Sequence, residues 1–336
     1  GDPTSWTASD LADDFVTLED IWTPLRVADS KERSGDIGTH ESMAGDLGTD
    51  LLTLAEGSDE PLIVLGDPGA GKSTSIAMLA ARAASVGPDA RLPIWVNLGS
   101  VVPDQRDSPE ENLLRGVPEV AAAKSRGGRH AQVDLLGLLE GAIHDGRALL
   151  LLDGLDEVKE HNIAEVRKAI SDVVGIRNGC RVVVTCRSFD YRHSEPNRKV
   201  QIQRELELLP LSPDEKDAYV AQWYAVAARV GGFRPDLAQQ LCEALKHQLR
   251  NRPAISEMAE LPLLLALLTL IHSKQELPDS RSVVCDQAIK FMLSETPPWR
   301  EREPGSGSEA SGPIVRLAVE VAFRSHAAEE SASSAN

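Results

Sequence analysis

The sequence predicts an α/β fold, a parallel five-stranded sheet flanked by helices, followed by an all-α domain. Two observations carry the prediction. Between residues 62 and 209, short apolar runs alternate with longer helical stretches, the pattern of strands buried on both faces and joined by helical crossovers. After Pro210 the strand signals stop, and the chain reads as helix to about His272.

Residues 1–46 are polar and irregular and read as an extension, with one extended stretch at 21–27 that reads as a strand. Glycines 35, 38, 45 and 48 lead to an expected helix over 47–55. The run 62–65 ends in glycine, as a buried parallel strand does, and an Ala- and Leu-rich helix follows over 72–86. Strands are expected at 92–98, 148–152 and 181–186, with a helix at 162–174 before the last of these. The imperfect alternation over 200–209 supplies the fifth strand. Ser212-Pro213-Asp214-Glu215 then opens the helical part: Ser212 as N-cap, Pro213 at the first helical position and Glu215 closing a capping box. Further helices are expected at 284–293 and 314–327, separated by a Gly/Ser linker at 305–312.

The chain has 336 residues, of which 35 are Lys or Arg and 52 Asp or Glu, a formal net charge of −17. With 42% hydrophobic residues it can build a real core, which excludes global disorder. Its acidity argues against a broad grip on nucleic acid or an anionic membrane, and leaves room for a local basic pocket. The four cysteines lack metal or redox spacing and read as reduced thiols of a cytoplasmic protein. The apolar run 261–271 is too short to span a bilayer, and the first residues given show no charged stretch followed by an apolar run. The chain begins at Gly1 with polar ends, so a segment of a longer protein is expected.

Directly after the first core strand stands Gly66-Asp67-Pro68-Gly69-Ala70-Gly71-Lys72-Ser73-Thr74. This is a phosphate loop, G-x-x-x-x-G-K-[ST], between a strand and a helix. Its glycines let the backbone wrap phosphate oxygens, and the helix N-terminus offers free N–H groups and a positive dipole end. Lys72 is expected on the β/γ-phosphates and the Ser73 hydroxyl on Mg²⁺. The fold is therefore that of a P-loop NTPase. The strand 148–152 leads into Asp153-Gly154-Leu155-Asp156-Glu157. Asp153 is placed to hold Mg²⁺, and Glu157 or Asp156 to orient or deprotonate the attacking water, with Glu157 the first choice. The fourth strand ends Thr185-Cys186-Arg187. If that strand neighbours the phosphate-loop strand, Thr185 and Arg187 point at the γ-phosphate, where Arg187 senses it and stabilises transition-state charge. No guanine-recognition or protein-kinase motif is present, which favours ATP/ADP.

G-D-P-G-A-G-K-S-T, L-L-L-L-D-G-L-D-E and V-V-V-T-C-R together resemble the NACHT group of STAND-type P-loop NTPases, the diagnostic part being Asp153-Gly154-Leu155-Asp156-Glu157. Leu261-Pro262-Leu263-Leu264-Leu265 is similar to that family's N-P-L-L-L helix, although Glu260-Leu261 replaces the usual polar residue before proline. The resemblance implies a nucleotide-binding domain at 47–210, a helical lid at 211–280 and the start of a winged-helix-like region at 281–336. It also implies Pro262 against adenine or ribose, and a switch in which exchange of ADP for ATP drives self-association and activates an attached effector. Effector and sensor domains would lie outside this chain, and antiphage defence is a common setting. Two other readings compete. One is an AAA+-like remodelling ATPase, which needs a pore loop that 153–187 does not display; the other is a nucleotide-binding scaffold that never hydrolyses.

Overall fold

The computed structural model describes residues 19–30, 48–87, 90–104, 106–118, 120, 129–175, 179–194, 200, 202, 204–230, 233–278, 280–284 and 287. Of these, Leu25–Leu209 form one compact unit, and those up to Pro24 and from Pro210 onward form another.

The first unit is a sheet with helices packed on it. Its elements run β1 (Arg26–Asp29), β2 (Thr49–Asp50), α1 (Leu51–Gly57), β3 (Leu62–Gly66), α2 (Lys72–Ser85), β4 (Leu92–Asn97), α3 (Pro109–Leu114), α4 (Arg129–His144), β5 (Ala148–Asp153), α5 (Ile163–Gly175), β6 (Arg181–Arg187), α6 (Ser188–His193) and β7 (Arg204–Leu208). The strand order is 2-1-7-3-6-5-4. The five strands β7, β3, β6, β5 and β4 pair in parallel, as the apolar runs require. β3 and β5 are buried along almost their whole length because helices cover both faces. One face carries Ile63, Leu65, Ile94, Val96, Leu150, Leu152, Val182 and Val184 into a core shared with Leu113 and Leu114 of α3 and Val166, Ile170 and Val173 of α5. The pleat turns the intervening residues to the opposite face.

The sheet is wider than the sequence predicts. β1 pairs antiparallel with β7 (Val27 opposite Leu208) and β2 antiparallel with β1 (Val27 opposite Thr49), so the sheet has seven strands and is mixed. The strand expected at 21–27 is displaced: Glu19–Ile21 is a 3₁₀ turn, and pairing begins only at Arg26, beyond Pro24. The helix expected from residue 47 starts at Leu51, because the Asp50 carboxylate accepts from Thr53 N at 3.0 Å and fixes the N-cap there.

The second unit is helical: α7 (Pro213–Arg229), α8 (Pro235–Asn251), α9 (Pro253–Met258) and α10 (Pro262–His272). Ser212 caps α7 with the reciprocal Glu215 contact, as the sequence predicts. α10 is apolar almost all round and is buried from Leu265 to His272, the signature of a central helix. Trp223 and Tyr224 of α7 and Leu245 of α8 are buried as well. Two polar links cross this interior: Tyr224 Oη to His272 Nδ1 at 2.8 Å, and Lys216 Nζ to the Ser256 carbonyl at 3.0 Å. Trp223 is buried, whereas Trp95 is only half-buried. The helix expected at 314–327 and the linker at 305–312 lie outside the described residues, and the helix at 284–293 and the winged-helix-like region lie largely outside them. Among the described residues no helix is long and apolar enough to cross a membrane.

Candidate functional site

β3, β5 and β6 are parallel, so their C-terminal ends share one edge of the sheet, where open α/β folds present ligand-binding loops. The three sequence motifs meet there. β3 runs into the loop Gly66–Lys72, in which Gly69 (φ 78°) and Gly71 (φ 93°) adopt left-handed torsions that side-chain-bearing residues avoid. Gly71 is also the N-cap of α2, whose first residues are Lys72, Ser73 and Thr74. The unpaired N–H groups of that helix start therefore face the loop, the arrangement that binds phosphate. Asp67 and Pro68 are exposed at the loop crest, and Ala70 N donates to the Asp67 carbonyl at 3.1 Å. Lys72 folds back over the loop and donates to the carbonyls of Gly66 (2.7 Å) and Asp67 (3.1 Å). Burial pulls its ammonium below the usual lysine range, Arg187 adds to this, and Asp156 and Asp153 oppose it.

β6 lies between β3 and β5, so Asp153 reaches the loop across an intervening strand. The intervening residue is Thr185. Its hydroxyl donates to Asp153 Oδ1 at 2.6 Å and accepts from Gly154 N at 2.9 Å. Ser73 hydrogen-bonds the same carboxylate, while burial pushes Asp153 above the usual carboxylate range. Two oxygen ligands of hard character, the Ser73 hydroxyl and the Asp153 carboxylate, are thus in contact, a donor set that suits Mg²⁺.

A 3₁₀ turn, Leu155–Glu157, follows Gly154, which itself has φ 79°. The turn sends its two carboxylates to different places. Asp156 accepts from Arg187 N through Oδ1 at 2.9 Å and pairs with Arg187 Nε through Oδ2 at 2.9 Å. Glu157 lies over Gly99 and Gly154: a Cβ on Gly99 would sit 3.1 Å from Glu157 Cβ, and one on Gly154 would sit 3.0 Å from its carboxyl. Burial, with Asp156 and Asp153 nearby, raises Glu157 to about 7.

The sheet unit therefore brings together Gly66, Gly69, Gly71, Lys72, Ser73, Asp153, Asp156, Glu157, Thr185 and Arg187. Pro262 opens α10 in the helical unit. The sequence reading missed the end of β4. Asn97 pairs in register with Asp153, and Gly99 two residues on makes room for Glu157. The one available signal was the glycine just after a strand of the expected parallel sheet. Of the four cysteines, Cys285 lies outside the described residues.

Residues 60–227, half of the chain, match the profile of the NACHT domain. The chain belongs to the NACHT family. No protein of curated function matches it in sequence. Among solved structures, the NACHT chain is similar to Cdc6p from Pyrobaculum aerophilum at 15% identity, over 62% of this chain and 53% of that one, with a TM-score of 0.34. It is also similar to C. elegans PCH-2 at 12% identity, over 73% of this chain and 67% of that one, with a TM-score of 0.35. The Aeropyrum pernix Orc1 protein, solved in complex with DNA, shares 16% identity over 80% of this chain and 78% of that one, with a TM-score of 0.30. The NACHT chain spans about half the length of Cdc6p. These likenesses are too distant to bear on its activity; the family assignment is what makes this a nucleotide-binding P-loop NTPase module.

Proposed function

We propose that this NACHT module is the nucleotide switch of a signalling NTPase. It binds ATP or ADP with Mg²⁺ and hydrolyses ATP slowly. Exchange of ADP for ATP promotes self-association and activates an effector carried elsewhere in the protein, with antiphage defence as the setting. The observation that carries this reading is the position of Arg187. It ends β6, the strand next to the phosphate-loop strand β3, and its Gly66-paired register puts it level with the end of that strand. An arginine there can distinguish ATP from ADP, since only ATP brings a third phosphate.

In this reading each residue has a role that the geometry above supports. The Gly66–Thr74 backbone and the start of α2 cradle the phosphates, and Lys72 exchanges its loop-carbonyl partners for phosphate oxygens. Ser73 and Asp153 hold Mg²⁺, which when bound neutralises charge building on the β- and γ-phosphate oxygens. Thr185 supports the metal site through Asp153. Glu157 accepts a proton from the attacking water as the water oxygen bonds to the γ-phosphorus and ADP departs with the bridging oxygen. Arg187 meets the charge on the transferred phosphoryl group.

The test is the nucleotide released when the purified protein is denatured, together with the mass of the protein in ADP and in ATP. Near-stoichiometric ADP and a larger assembly in ATP are expected. An empty site with rapid, substrate-stimulated turnover would instead favour the remodelling ATPase.

A further inference from the structure

The two acidic residues of the Leu155–Glu157 turn are neighbours in sequence, but their surroundings differ. The Asp156 side chain is only 6% exposed, against 32% for the Arg187 side chain it meets. Both of its oxygens are directed at the end of β6: one accepts the Arg187 main-chain N–H and the other pairs with the guanidinium Nε. Glu157 makes no such pair in the described contacts; its carboxyl rests where two glycines, Gly99 and Gly154, leave room for it. The geometry points to a division of labour in which Asp156 is a positioning residue that fixes Arg187 for the γ-phosphate, while Glu157 alone receives the proton of the attacking water.

Two further observations support this division. A carboxylate that grips the same residue at its backbone and at Nε restricts both where the strand ends and how the side chain leaves it, which is the preorganisation that phosphate recognition needs. Arg187 is also the N-cap of α6. That helix is anchored to β7 by Arg192 Nη2 on Glu207 at 2.5 Å and Tyr191 Oη on Glu205 at 3.3 Å. The backbone around Arg187 is therefore held on one side by Asp156 and on the other by α6. An acidic residue whose oxygens are turned toward such an anchor acts on phosphate through the arginine.

The inference rests on the switch reading, in which Arg187 senses the third phosphate. It is tested on the full chain by calorimetric titration with Mg·ATP and Mg·ADP, using the wild type, Asp156→Asn, Arg187→Ala and the double variant. Loss of one charge-assisted contact predicts that the ratio of ATP to ADP affinity falls about tenfold in each single variant. The double variant should fall no further than Arg187→Ala alone, with ADP affinity unchanged throughout. Effects that multiply in the double variant would overturn the positioning role, because Asp156 would then act on nucleotide independently. Equal loss of ATP and ADP in Asp156→Asn would overturn it as well, since a collapsed loop weakens both. A ratio unchanged by Arg187→Ala would sink the switch reading itself and the inference with it. If the Asn variant does not fold, Asp156→Glu carries the same expectation, because one extra methylene moves the carboxylate off its 2.9 Å grip.

Discussion

Thr185 Oγ1 donates its hydrogen to Asp153 Oδ1 at 2.6 Å and itself accepts the Gly154 N–H at 2.9 Å. One buried side chain thus satisfies the end of the strand beside it and orients a carboxylate. Thr185→Val keeps the shape and removes both bonds. Unfolding free energy should fall by about 1–3 kcal/mol, the usual cost of buried groups left unpaired. Denaturant titration measures it, and an unchanged midpoint would show that the network carries no stability.

Lys72→Ala removes the cation that folds over the phosphate loop. A contact of this charged, half-buried kind is worth about 2–5 kcal/mol. Nucleotide affinity should fall at least roughly thirtyfold. Titration of ADP into the variant measures the loss; full-strength binding would mean the phosphates lie elsewhere.

A base must be ionised to take a proton. With Glu157 raised to about 7, single-turnover hydrolysis should increase as pH rises from 6 to 8 and then level off. Glu157→Gln should abolish turnover while leaving ATP binding intact. A rate independent of pH, or hydrolysis surviving in the Gln variant, would remove Glu157 from the reaction.

The parallel strands were legible because burial on both faces leaves no ambiguity: Leu62–Gly66 and Ala148–Asp153 are runs with almost no polar residue. β1 and β2 were not. Arg26, Asp29, Thr49 and Asp50 carry no apolar signal, and these strands exist only because Val27 finds Leu208, far along the chain. The same holds for the site. Lys72, Ser73 and Asp153 announce themselves by local spacing, whereas the Asp156–Arg187 grip joins residues 31 apart that only the fold brings into contact. Two adjacent carboxylates look alike in a string of letters; the turn that points them apart is three-dimensional.

In the helical unit, burial holds the His272 imidazole below its ordinary value, with Glu276 opposing, while Tyr224 bonds its Nδ1. The folded form therefore resists protonation more than the unfolded chain does. Above the unfolded value of about 6.5 both states are neutral and His272 adds no pH dependence. As pH falls through 6.5 the unfolded chain gains a proton first, so stability declines until the folded value is reached. Unfolding measured at pH 7 and pH 5.5 should show a smaller acid loss in His272→Gln than in the wild type. Equal losses would mean the imidazole is not held neutral.

The two margins of the sheet have a consequence for how copies of this chain can meet. At one margin stands β2, only two residues long. At the other stands β4, where Leu92 N turns inward to the Arg147 carbonyl, so that residues 93, 95 and 97 turn their amides outward. Pro93 has no amide hydrogen to give, and that of Asn97 is already taken by the Gly116 carbonyl at 2.9 Å, a closeness that only a residue without Cβ permits. Among the described residues neither margin offers a ladder of open hydrogen-bonding groups, the template on which strands from separate molecules stack. Under the switch reading, copies that met at these margins would recognise one another through side chains, and their association could be undone without unzipping any backbone.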